Sequence, residues 1–133
     1  MGLFDGLKEI LGFSAEVKKW SIRVDDEEYK IEHGEDIKDK IWLYLCDIEE
    51  GNINFIILSA PEMINNIPFV QSSLSARGKL QIEVGITDDG EDECNKIYCN
   101  DEFGKNEIYK MIMDFYNKGE KIDVSGWGDI VYI

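Results

Sequence analysis

Short alternating runs and two helical stripes divide the chain. Residues 20–24 alternate Trp20, Ile22 and Val24 with Ser21 and Arg23, and residues 29–32 alternate in the same way, so the pattern predicts two short strands joined by an acidic turn over 25–28. Ile37, Ile41, Tyr44, Leu45 and Ile48 then recur at steps of three and four before Gly51, which predicts a first main helix over 36–48. Residues 54–58 are a β-rich apolar run expected to be a buried strand that Pro61 stops, and residues 69–73 suit a further strand after Pro68. Residues 79–86 give the clearest strand. Leu80, Ile82, Val84 and Ile86 point one way and Gln81, Glu83 and Gly85 the other, so one side of that sheet is expected to be wet or thinly covered.

The acidic connection 88–93 leads into 96–99, which makes 79–99 an antiparallel hairpin. Ile108, Met111, Ile112 and Phe115 form the apolar stripe of a second main helix over 105–118, with Lys118 and Gly119 as its stop signal. Residues 122–124, a Gly126-Trp127-Gly128 corner and a strand-like 129–133 follow. At the other end, Leu3, Phe4, Leu7, Ile10 and Leu11 share one helical face, so residues 1–14 are expected to carry a short amphipathic helix. Its polar face is charge-balanced, which favours docking on the body of the domain over a membrane surface.

Hairpins interleaved with two packed helices, without regular βαβ alternation, predict an α+β class: a mostly antiparallel sheet packed with two main helices plus the N-terminal helix. With 133 residues and no repeat or linker, 1–133 is expected to be one domain.

Charge changes the picture. Asp and Glu number 28 against 14 Lys and Arg, a formal net charge of −14, while 44% apolar and 11% aromatic residues are ordinary for a folded chain. The fold is conventional and the surface is not. Such a field repels phosphate backbones and anionic headgroups, so the expected partner is a basic protein, with neither nucleic acid nor membrane. No apolar run reaches the ~20 residues of a membrane span, and the N-terminus lacks the pattern of a secretory signal. Cys46, Cys94 and Cys99 are an odd count suited to reduced thiols, and a cytoplasmic location is expected.

Chemistry-bearing motifs are sparse. His33 is the only histidine and sits beside Gly34 in a charged turn, which rules out a histidine pair on a metal. There is no nucleophile elbow, phosphate-binding glycine loop or C-x-x-C redox motif. Cys94 and Cys99 lack two further zinc ligands, and the carboxylates at 88–93 lack the order of a calcium loop. No cofactor, metal or catalytic residue is assigned.

What remains is the placement of charge. Residues 25–36 hold seven acids and residues 88–102 seven more, which together are half of the 28. Solvated turns would explain this, and so would a recognition surface that steers a basic partner in. The second reading selects Asp25, Asp26, Glu27 and Glu28 in one stretch, and Asp88, Asp89, Glu91, Asp92, Glu93, Asp101 and Glu102 in the other, as candidate partner-binding residues. Trp20 and Trp127 are candidate contact anchors, although Trp127, like Trp42, also suits the core.

The run 55–58, the strand 80–85 ending in Val-Gly, the helix 107–119, and Trp127 with Ile130 beyond it give residues 53–130 a recognisable pattern. It resembles small bacterial immunity proteins that neutralise polymorphic or contact-dependent toxins, in particular those paired with deaminase-type toxins. The resemblance implies a non-enzymatic α+β domain that occludes the active site or substrate groove of a toxin, and the chain itself is expected to be a monomer or weak homodimer. The alternatives from the residues themselves are a small carboxylate-using enzyme or ligand-binding module, and an acidic adaptor.

Overall fold

The computed structural model describes residues 18–87 and 96–131. The expected N-terminal helix and the acidic connection 88–93 lie outside the described residues. Nine elements follow one another: β1 (Ser21–Val24), β2 (Glu27–Lys30), α1 (Lys38–Glu50), β3 (Phe55–Ile64), β4 (Ile67–Leu74), β5 (Leu80–Ile86), β6 (Lys96–Asn100), α2 (Lys105–Lys118) and β7 (Gly128–Val131). The strands form one sheet in the order β2-β1-β3-β4-β5-β6-β7, and each neighbouring pair is antiparallel. The fold is α+β.

Both helices lie on one side of the sheet. Ile41, Leu45 and Ile48 of α1 and Ile108, Ile112 and Phe115 of α2 join Ile22, Ile56, Leu58, Val70, Ile82 and Val84 in one buried cluster. The strand members of that cluster are cross-strand neighbours, since Ile22 pairs with Leu58, Leu58 with Val70, and Val70 with Val84. Period two in the strands and period 3.6 in the helices therefore aim at the same layer. The helices end as their sequences predict, with Gly51 (φ 81°) and Gly119 (φ 63°) in the left-handed conformation that returns N–H groups to the last carbonyls. No described helix is long and apolar enough to cross a membrane.

Three local expectations need correction. Val24 pairs with Glu27, so the β1–β2 turn is only Asp25 and Asp26, and Glu27 and Glu28 belong to the edge strand β2. Pro61 does not stop β3, which runs to Ile64. The ladder with β4 shifts register between Ser59 and Ile64, so the missing N–H of Pro61 falls where no ladder bond is required. Beyond it Asn65 (φ 52°) and Asn66 (φ 67°) make a two-residue hairpin turn, a pairing of β3 and β4 that the sequence reading did not foresee.

Candidate functional site

The register places several loops at one end of the sheet. Val24 lies opposite Ile56, Phe55 opposite Ser73, Leu74 opposite Leu80 and Ile82 opposite Asn100. The β1–β2 turn, the start of β3, the β4–β5 turn and the end of β6 therefore emerge together. The junction of the helices is at this end too, where Lys105 Nζ of α2 meets Glu49 Oε1 of α1 at 2.8 Å. Eight carboxylates gather here, on Asp25, Asp26, Glu27, Glu28, Glu49, Glu50, Asp101 and Glu102, against Arg23, Arg77, Lys79 and Lys105. The strand ends that flank the 88–95 connection, Ile86 and Lys96, lie at the opposite end. Four strand spacings separate β1 from β6, or roughly 19 Å, so the two described acidic groups share an end without touching.

These acids are not equivalent. Asp25 sits at φ 50°, a conformation Asp tolerates, and its Oδ1 accepts the N–H groups of Asn54 (2.9 Å) and Phe55 (3.2 Å). Its carboxylate is used to pin the turn to β3. Glu27 accepts the Tyr29 hydroxyl at 2.7 Å, and that hydrogen bond raises the tyrosine pKa. Asp101 takes two hydrogen bonds from Arg77, at 2.8 and 3.1 Å, and these hold its carboxyl down at about 2. Asp26, Glu28 and Glu102 are exposed, and no described cation pairs with their carboxylates.

Between the β4–β5 turn and the helix junction an open cleft of about 710 Å³ is lined by Glu49, Arg77, Lys79, Asp101, Glu102 and Lys105, among others. Lys105 also lies 3.5 Å from Cys46 Sγ and 4.9 Å from the centre of the Trp42 ring, and Glu49 raises its pKa. Tyr109 packs edge-on against the same Trp42 ring at 5.3 Å.

The seam is thus closed by side-chain contacts between the two helices.

The aromatic candidates are engaged within the fold. Trp20 packs edge-on against Phe115 (5.5 Å) and Tyr116 (5.0 Å), and Tyr116 donates its hydroxyl to Glu35 O at 2.7 Å. Trp127 packs against Phe103 in a tilted arrangement, with ring centres 5.7 Å apart, and is half-buried. His33 is exposed in the loop between β2 and α1. Cys46 is on α1 and Cys99 on β6, on opposite sides of the sheet, and Cys94 lies outside the described residues. Among the described residues no group of three or more His, Cys, Asp or Glu side chains is placed to hold a metal ion.

One cluster was not singled out from the sequence. On the side of the sheet away from the helices, Glu83 is only 6% exposed. Its Oε1 accepts Gln71 Nε2, and its Oε2 accepts Gln81 Nε2 (2.7 Å) and Ser73 Oγ (3.3 Å). Cross-strand pairing builds it, because Gln71 lies opposite Glu83 and Ser73 opposite Gln81. The available signal was two alternating polar pairs, 71 and 73 and then 81 and 83, in strands whose other residues are mainly apolar.

The chain matches no protein-family model, no curated protein and no solved structure.

Proposed function

We propose that the protein is a non-enzymatic immunity protein that binds a basic toxin domain and blocks its active site or substrate groove. The observation that carries this reading is the gathering of eight carboxylates against four cations at one end of the sheet. A negative field concentrated at one end attracts a positively charged groove over a Debye length, and accelerates encounter more than it tightens the final complex. Asp26, Glu27 and Glu28 on the β1–β2 hairpin and Glu102 beyond β6 are the accessible carboxylates in that role. Asp25 and Asp101 act indirectly, by fixing the turn and the β4–β5 corner.

The experiment is co-expression with the C-terminal domain encoded by the adjacent toxin-like reading frame, followed by co-purification at low and high salt. A complex that forms fast at low salt, and forms more slowly when Asp26, Glu27 and Glu28 are all changed to their amides, supports the reading. Absence of a complex at low salt overturns it for that pair.

A further inference from the structure

We infer that the face of the sheet on which no described helix packs is the contact surface for this basic partner, and that Glu83 receives one of its arginine or lysine side chains. The inference rests on the reading that the partner is basic, and adds to it where the partner sits.

Three cross-strand rows define the face. Arg23, Ile57, Gln71, Glu83 and Cys99 form the middle one, Ser21, Ser59, Phe69, Gly85 and Ile97 flank it on one side, and Phe55, Ser73 and Gln81 on the other. Ile97 is buried yet lies outside the cluster that the helices cover. Near the centre of the face is a carboxylate almost withdrawn from water. Among the described residues its oxygens meet only neutral donors, the amides of Gln71 and Gln81 and the hydroxyl of Ser73. Arg23, in the same row, is three strands away and turns its Nε to Asp25 O at 3.1 Å.

A buried charge with no opposite charge beside it is costly, and neutral dipoles offset only part of that cost. A cation arriving from outside offsets the rest. The cluster is suited to receive one, because what it leaves unused is mainly acceptor, beside one N–H of Gln71. A carboxylate offers about four acceptor positions, of which three are filled here, and the side-chain oxygens of Gln71 and Gln81 accept nothing from described residues. An anion would meet the wrong polarity, and a neutral donor would leave the carboxylate's charge without an opposite charge. Half-buried Phe55, Ile57 and Phe69 on the same face supply apolar surface for the aliphatic stem of an arginine or lysine. The amides and hydroxyl hold the carboxylate in place before contact, so little ordering is left to be done on binding. The acidic end of the sheet then steers the partner, and Glu83 fixes its register.

The test uses the full chain labelled with ¹⁵N and two probes, a capped Phe-Arg-Phe peptide and the same peptide with citrulline, which keeps the shape of arginine without its charge. The arginine peptide is expected to shift the side-chain amide resonances of Gln71 and Gln81, and the backbone amides of β4 and β5, in a saturable way. The citrulline peptide should bind about tenfold or more weakly, as for loss of a charge-assisted contact. Glu83→Gln should abolish the difference between the two peptides, while neutralising Asp26, Glu27 and Glu28 together should preserve it at high salt. Equal responses to both peptides, or shifts confined to the β1–β2 hairpin, overturn the inference. The peptide comparison on the unaltered chain decides even if Glu83→Gln does not fold. A toxin domain that binds without perturbing β4 and β5 overturns this inference alone, and failure of that domain to bind while the arginine peptide engages Glu83 overturns the immunity reading alone.

Discussion

The two faces of the sheet are made by the same strands and follow different rules. Under the helices, the row Ile22, Leu58, Val70 and Val84 is apolar throughout and buried, and Ile56 and Ile82 extend it. One residue along each strand, the opposite face reads Arg23, Ile57, Gln71, Glu83 and Cys99, a mixture of charge, amide, thiol and hydrocarbon. The first face is specified by volume and water exclusion, which many apolar residues satisfy. The second is specified by hydrogen-bond partners, which only particular side chains at particular cross-strand positions satisfy. Stability therefore resides mainly on one face, and recognition has room on the other.

The largest effect should come from opening the helix-covered face. Ile82 is fully buried among both helices and the sheet, so Ile82→Ala removes packed hydrocarbon and leaves a cavity, at a cost of about 2–5 kcal/mol. Ile57→Ala, on the half-buried opposite face, should cost roughly 1 kcal/mol. Urea titrations of both variants measure the contrast, and equal losses would show that the faces share the core's work.

Gly85 sharpens the comparison from the other side. A Cβ built there meets the Phe69 ring at 2.6 to 3.0 Å, because Phe69 lies across the strand pair and fills the space a side chain would take. Gly85→Ala should therefore destabilise by about 1–3 kcal/mol, the usual range for overpacking. In the Phe69→Ala background the same change should cost much less, since the obstructing ring is gone. A double-mutant cycle by chemical denaturation checks this. Additive losses would mean that the ring moves aside freely and that this face is not tightly packed.

Much of this architecture was legible from local periodicity. The helix over 105–118 coincides with α2, because the apolar stripe and Gly119 both act within a few residues of one another. The alternation in 80–86 likewise announced two chemically unlike faces, although the side expected to be wet or thinly covered carries a buried Glu83 and a buried Gly85. What local pattern could not supply was pairing. Glu27 and Glu28 read as turn residues because acids favour turns, yet the pairing of Val24 with Glu27 draws them into an edge strand, where charge deters further strands from adding. Pro61 read as a stop because nothing in the sequence locates the register shift that accommodates it. The Glu83 cluster was missed for the same reason, since its members come from two strands and meet only through the β4–β5 register. The acidic stretches were legible as composition. Their common end was not, and Asp25 and Asp101 could not be told from their exposed neighbours until their partners were placed.

Ser72 is the exception on the covered face, and it gives a smaller effect. It is fully buried, and its hydroxyl donates to Gln81 O at 2.7 Å. Ser72→Ala removes that hydrogen bond without stranding a side-chain polar atom, so a loss of about 0.5–1.5 kcal/mol is expected. A loss like that of Ile82→Ala would indicate that the hydroxyl organises the β4–β5 register and does more than satisfy itself.

The smallest effect belongs to the acidic end, which lies outside both faces. Arg77 joins the β4–β5 turn to the end of β6 through Asp101, and its hydrogen bonds, with help from Ser75, hold the Asp101 carboxyl down at about 2 from an ordinary 3.8. A carboxyl depressed in the folded state contributes stability that is fully present above its unfolded pKa and is lost as pH falls through the folded value. Asp101→Asn should therefore lower the denaturation midpoint slightly at neutral pH, and the gap from the parent chain should close between pH 3.8 and about 2. The pair lies at the surface, so added salt should shrink the gap as well. Midpoints measured across that pH range, with and without salt, check the assignment. A gap that persists at the acid end would mean that Asp101 acts through its shape and hydrogen bonds and not its charge, and the acidic end would then be held together by the same means as the Glu83 face.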